Sequence, residues 1–233
     1  MAASRRSASG ASRRWSAVER DLRRAGATLI AGVDEVGRGP LAGPVVACAI
    51  VMPPGARGIP GVDDSKRVAP AERVRLAAEI RRRALAVGIG AASVREIDRL
   101  NIHHATVLAM RRALARLGVA PDHVLIDGRP LRTLGVVHTA VVKGDSRCYS
   151  VACASIVAKV VRDRLMASLS QRHPAYGWER NAGYGTPEHL AALVQSGLCA
   201  HHRRSFRAGP QLSLDLCADP PLGAPPSPGA PHA

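Results

Sequence analysis

The sequence predicts an α/β domain with five strands and a C-terminal helical extension. Three observations predict it. Five short apolar runs rich in β-branched residues are separated by stretches of helical spacing, the alternation expected of layered α/β structure. Hydrophobic residues make up 46% of the 233 positions, enough for a buried core. Aromatic residues make up only 3%, so that core must be built from Ala, Val, Leu and Ile.

The elements follow in chain order. A short helix is expected over about Trp15–Arg24. Thr28–Val36 and Pro44–Met52 read as strands joined by the Gly/Pro-rich turn Gly37–Gly43. Pro70–Ala86 has helical spacing, with Val74, Leu76, Ile80 and Leu85 among arginines. Val87–Val94 reads as a strand. Ser93 and Glu96 form a capping-box pattern that opens a short helix. Ile102–Leu117 is a second amphipathic helix, stopped by Gly118. His123–Ile126 and Val136–Val142 complete the strands. Ser150–Ser170 is a long helix, and Thr186–Ser196 is a helix with Thr186 as cap and Pro187 in its first turn.

Charge divides the chain into three parts. The formal net charge is +15, from 33 basic and 18 acidic residues, which points to a polyanionic partner. Lys66, Lys143 and Lys159 are the only lysines, so arginine supplies 30 of the basic groups. Residues 1–27 carry seven arginines against Glu19 and Asp21, a charge of +5, and read as a basic tail with a short helix. Residues 28–208 form the domain with its extension. Residues 209–233 are a Pro/Gly/Ala-rich tail containing Gln211-Leu212-Ser213-Leu214-Asp215-Leu216. The five cysteines have no CxxC spacing, which argues against a zinc site and suits a reducing, cytoplasmic setting. No run of about 18 apolar residues is present, so no membrane-spanning helix is expected.

Four acids stand at strand ends or beside glycines: Asp34, Glu35, Asp127 and Asp145. Acids at the rim of a sheet collect where sites form. Like charges brought together there need a cation between them, and oxygen donors favour Mg²⁺ or Mn²⁺ over zinc. Neighbouring strand residues face opposite sides. Asp34 and Glu35 therefore reach one ion only if the pleat breaks, and a break is expected there, with Gly37–Gly43 supplying the means; if Glu35 points away instead, it is structural and three carboxylates remain.

The motifs that carry a family likeness run in order over about 175 residues. They are Ala31–Ala47 with its Gly32-Val33-Asp34-Glu35-Val36-Gly37-Arg38-Gly39 opening, Asp63-Asp64-Ser65-Lys66, and Glu96–Ile102. They continue through Leu125-Ile126-Asp127-Gly128, Lys143-Gly144-Asp145, Ala154–Asp163, Asn181–His189 and His202–Phe206. In this order they resemble bacterial ribonuclease HII. Cys153 stands where the family usually has alanine, and Gly197–His201 departs from the usual wording.

The resemblance implies an RNase H-like mixed five-stranded sheet flanked by helices. It implies a metal-dependent endonuclease that cuts RNA in RNA–DNA hybrids and 5′ of single ribonucleotides in duplex DNA. By motif position, Asp34, Glu35, Asp127 and Asp145 are its catalytic and metal-holding acids. Gly37, Arg38 and Gly39 correspond to the loop that reads the ribose 2′-OH, and Tyr184 to the aromatic at the RNA–DNA junction. Lys66 and Lys159 fall in motifs and are expected at phosphates. Tyr176 and Trp178 are expected to pack the extension. Gln211–Leu216 resembles a segment that docks on a sliding clamp, and a monomer is expected. Two rival readings share some features: a non-catalytic nucleic-acid binder, which has no need of four acids, and another RNase H-like nuclease, which lacks the Gly37–Gly39 loop and Tyr184.

Overall fold

The computed structural model describes residues 17–206. The Gln211–Leu216 segment, Cys217 and Trp15 lie outside the described residues. Helix α1 (Ala17–Arg24) is followed by β1 (Ile30–Val36), β2 (Val45–Val51), α2 (Pro70–Arg83), β3 (Ala86–Ala92) and α3 (Val94–Ala115). Then come β4 (His123–Asp127), β5 (His138–Val141), α4 (Tyr149–Arg172), α5 (Trp178–Asn181) and α6 (Pro187–Ser196). The sheet order is β3-β2-β1-β4-β5. β1 is antiparallel to β2 and parallel to β4, so the sheet is mixed as expected.

Side-chain alternation explains the layers. Ala47, Ala49 and Val51 of β2 join Ala105, Ala109, Met110 and Ala113 of α3 on one face. Cys48 and Ile50 join Leu76 and Ile80 of α2 and Ile156 and Val157 of α4 on the other. All seven residues of β2 are therefore buried. The small residues of both helices let them lie close to the sheet, which suits a core almost without aromatics.

Several boundaries differ from the sequence reading for identifiable reasons. α2 ends at Arg83 because Ala84 is extended and the Leu85 N–H donates to Val51 O at 2.9 Å. Sheet pairing thus captures Leu85, which stays exposed. The two helices expected over 93–117 form one bent element. Asn101 breaks it at φ 65°, and its Oδ1 accepts from the His103 and His104 N–H groups, capping the second half. Ser93 and Glu96 form the expected capping box. β5 spans only four residues, leaving Val137 and Val142 exposed.

The extension has its own small core. Tyr176 and Trp178 stack with centroids 5.1 Å apart. They pack with Ala42, Met166, Leu169, Ala192 and Leu193, the packing role expected of them. Ala42 comes from the β1–β2 turn, so this core fastens the extension to that turn.

Candidate active site

Three of the four acids stand near or just beyond the C-terminal ends of neighbouring parallel strands. Val33 of β1 is level with Ile126 of β4, so one further residue brings Asp34 level with Asp127. Asp127 is level with Val141 of β5, and Asp145 lies in the 3₁₀ turn Gly144–Ser146 just beyond. The Gly144 N–H donates to Asp127 Oδ1 at 2.6 Å, tying that turn to β4. The rim formed is the C-terminal end of a parallel strand set, the usual place for a site in such a sheet.

The expected break in the pleat is absent. β1 and β2 stay in one-to-one register from Ala31–Val51 through Val36–Val46. Asp34 thus faces α4 with its ladder partner Cys48, and Glu35 starts from the opposite face. The turn begins only after Val36, so the ladder closes before the glycines act. Glu35 nevertheless stays at the rim. Its Oε1 accepts from Arg38 Nη1 at 3.1 Å, and the Asp127 charge adds to burial in raising its pKa.

The loop after β1 is held by two buried arginines that sequence reasoning did not single out. Arg203, 2% exposed, donates through Nη2 to Gly37 O at 2.5 Å and Gly43 O at 2.8 Å. Its Nη1 donates to Arg38 O and its Nε to Gly43 O, both at 2.9 Å. Arg162 on α4 donates to Pro44 O, Ala182 O and Ala42 O at 3.0, 3.0 and 3.1 Å. Neither has an ion-pair partner among the described residues. Burial disfavours the charged form of both, and the ring of carbonyls offsets that cost. Both lie inside the quoted motifs, but no local pattern announces a partner more than 100 positions away.

The two glycines of the loop differ. Gly37 has φ +89°, and a Cβ there would meet Arg162 Nε at 2.1 Å. Chain geometry alone demands glycine at that position. Gly39 is exposed, and a Cβ there would find only Tyr184 Cε1, at 3.6 Å. Packing does not require glycine at 39. Tyr184 itself is 46% exposed and stands beside the loop. The remaining candidates are less centred. Lys66 is exposed, and its charge reaches Asp145, as does that of Asp64. Lys159 is engaged elsewhere, with Nζ donating to Asp163 Oδ1 at 2.6 Å.

Burial first, then neighbouring acids, raises the pKa of Asp34 well above the usual carboxylate value. Asp145 is raised by burial, then by Asp64 and Asp127. Glu35 is raised by burial, although Arg38 opposes it. A site of this kind favours either protons or a cation. Among the described residues, no three His, Cys, Asp or Glu side chains are gathered to ligating distance. The donor set still fits a hard divalent ion. It is all oxygen, and Glu35 Oε2 is buried without a hydrogen-bond partner, a cost that a cation would remove.

Comparison with known proteins agrees with this geometry. Residues 31–208 match the family model described as Ribonuclease HII. Ribonuclease HII of Thermosynechococcus vestitus is 57% identical over 183 residues, covering 78% of this chain and 85% of that one. Ribonuclease H2 of Pyrococcus horikoshii OT3 superposes with a TM-score of 0.66 at 25% identity, covering 77% and 94%. The RNase HII chain in a PCNA complex from Archaeoglobus fulgidus gives a TM-score of 0.64 at 24% identity, covering 77% and 95%. The likeness spans the sheet, the acid-bearing rim, the loop and the extension, and this chain belongs to the ribonuclease HII family, endonucleases of the ribonuclease H type that act on RNA–DNA hybrids.

Proposed function

We propose that the chain cuts the phosphodiester on the 5′ side of a ribonucleotide, in hybrids and at single ribonucleotides in duplex DNA. The products are a 3′-OH and a 5′-phosphate. Its cellular work is then ribonucleotide excision and primer removal, in the cytoplasm and as a monomer. The observation that carries this reading is the unforced Gly39. A position that tolerates a side chain by packing, but has none, leaves bare backbone beside Tyr184 and Arg38. A 2′-OH is small and lies in a shallow groove, so reading it needs backbone this close.

Asp34, Asp127 and Asp145 would hold two Mg²⁺ or Mn²⁺ ions together with Glu35, which starts from the opposite face of β1 but comes near enough to Asp127 to feel its charge and keeps Oε2 unpaired. Such a pair supplies an activated water and charge relief at the leaving 3′-oxygen. The residues do the rest. Arg203 and Arg162 hold the carbonyls of the loop, and the N–H groups of Leu41, Ala42 and Gly43 bond Gly183 and His201, so those of Arg38 and Gly39 are the ones that would meet the substrate. Arg38 covers Glu35 and limits water there. Tyr184 offers a face for the sugar or base at the junction. Lys66, whose charge reaches Asp145, would meet a phosphate there, whereas Lys159 would first have to leave Asp163 to meet one. The +11 of residues 28–206 attracts the duplex backbone.

Gln211–Leu216 would dock on a sliding clamp as an apolar peptide on a linker. Deleting residues 209–233 should abolish clamp pulldown and leave cleavage intact; unchanged pulldown rules the docking out. For the catalytic reading, cleavage of a hybrid is measured with Mg²⁺, with Mn²⁺ and with chelator, beside Asp34→Asn. The expected outcome is no cleavage with chelator and a loss of at least about 10³-fold in the variant. An active variant, or activity in chelator, defeats it.

A further inference from the structure

Helix α1 lies outside the residues matched by the family model, yet it contributes the acid with the least exposed surface among the described residues. Glu19 is 4% exposed. Its Oε1 accepts from the Ser150 N–H at 2.9 Å and from Ser150 Oγ at 3.0 Å. Ser150 is in the first turn of α4, a 24-residue helix whose N-cap residue, Cys148, makes no side-chain capping bond. Glu19 therefore caps α4 from 131 positions away. A carboxylate is the favoured partner for free N–H groups and for the positive end of a helix dipole. Val18, Leu22 and Ala27 pack on Ile30, Leu125, Val141, Cys148 and Val151, so α1 also covers the junction of β1, β4, β5 and α4.

The start of α4 is where the positions of three acids meet. A Cβ on Gly32 would fall 2.2 Å from Ser150 C and 2.5 Å from Val151 N. The first turn of α4 thus presses directly on β1, two residues before Asp34. One turn further along, Ser155, whose Oγ donates to Ser65 Oγ at 2.9 Å, neighbours the Asp34 carboxylate and opposes the rise in its pKa. On the other side, Asp145 precedes α4 by four residues, in the turn that donates Gly144 N–H to Asp127. A slide or rotation of this helix end moves Asp34, Asp127 and Asp145 relative to one another.

We propose that Glu19 is a positioning residue: by capping α4 it sets the spacing of Asp34, Asp127 and Asp145 and hence the affinity of the rim for divalent cations. This rests on the reading that those acids hold the metals. It adds a determinant supplied by a helix outside the matched residues. Glu19 touches no reacting atom and acts only through Ser150.

The test measures Mn²⁺ binding to the substrate-free full-length protein by calorimetry. It uses the parent, Glu19→Ala, Glu19→Gln, Ser150→Ala and Asp34→Asn, all at a temperature where melting curves show each folded. Glu19→Ala should weaken Mn²⁺ binding roughly threefold to tenfold, the loss expected for a helix cap transmitted to the ion. Glu19→Gln keeps an acceptor for the Ser150 N–H and should recover most of it. In cleavage assays the half-saturating Mn²⁺ concentration should rise in parallel, with the KM for the duplex unchanged. Parental Mn²⁺ binding in a folded Glu19→Ala protein, with Asp34→Asn impaired, overturns the positioning role alone. Parental binding in Asp34→Asn overturns the underlying metal reading instead.

Discussion

Replacing Arg203 should separate ribonucleotide recognition from DNA affinity. Arg203→Gln removes a buried charge that makes four hydrogen bonds to the carbonyls of Gly37, Arg38 and Gly43. Glutamine can satisfy at most one or two of them. Each buried carbonyl left unpaired costs about 1 to 3 kcal/mol. Removing the guanidinium also relieves its own desolvation and its repulsion from Arg162, which offsets part of the loss. A net destabilisation of about 2 to 4 kcal/mol follows, or on the order of 10 °C in Tm for a domain of this size. At a temperature where the variant is folded, the loop has lost the contacts that fix its backbone. A misplacement of this kind should lower kcat/KM on a duplex with one ribonucleotide by about 10- to 100-fold. Binding to an all-DNA duplex should stay within about twofold, because it depends on backbone charge spread over the surface. Steady-state incision and fluorescence anisotropy measure the two quantities. A folded variant with parental kcat/KM refutes the reasoning. So does one that loses all-DNA affinity as much as incision.

The paired loop variants should behave differently from each other. Gly37→Ala, at φ +89° with Arg162 Nε in the way, should cost at least about 2 kcal/mol of stability by melting. Gly39→Ala should leave Tm within about 1 °C yet lower incision at a ribonucleotide; equal Tm losses contradict the distinction. Tyr184→Ala removes a half-exposed ring, so melting should barely change while kcat/KM falls by about tenfold, the worth of one stacking contact; an unchanged rate argues against the contact. His202 supplies a pH prediction. It is buried, with its Nε2 3.1 Å from His189 Nε2 and its Nδ1 accepting from Cys199 N–H. Burial, then the His189 charge, lowers its pKa to about 4. The neutral form is thus the folded one. Its stability contribution is present above the ordinary value near 6.5, is lost as pH falls from there to about 4, and amounts to about 3 kcal/mol. Melting between pH 8 and pH 4.5 should show a steeper loss in the parent than in His202→Asn; equal slopes refute the assignment.

Particular residues show what the sequence makes legible. The strands and helices followed from periodicity because one face of each meets the core. Ser93, Glu96 and Thr186 marked helix starts through local hydrogen bonds, and local chemistry is what sequence displays best. Asn101 was harder. A left-handed backbone at a non-glycine, paired with a cap for the next turn, reads in sequence only as a gap between two helices. The acids were legible as types at strand ends. Their facing was not, since the unbroken register through Val36 depends on where β2 begins to pair. Arg162, Arg203 and Glu19 escaped notice for a common reason. Each is a charged side chain buried against backbone groups far away in sequence, and nothing in the neighbouring residues records that partnership.

On the proposed function, an acid-bearing rim cuts where a bare backbone loop finds a 2′-OH. The most direct measurement compares two otherwise identical DNA duplexes, one carrying a single ribonucleotide, with Mg²⁺ or Mn²⁺ present and the products mapped at nucleotide resolution. The expected result is one incision, on the 5′ side of the ribonucleotide, leaving a 3′-OH, and no incision of the all-DNA duplex. Cutting of both duplexes at similar rates, or incision elsewhere than beside the ribonucleotide, would contradict it.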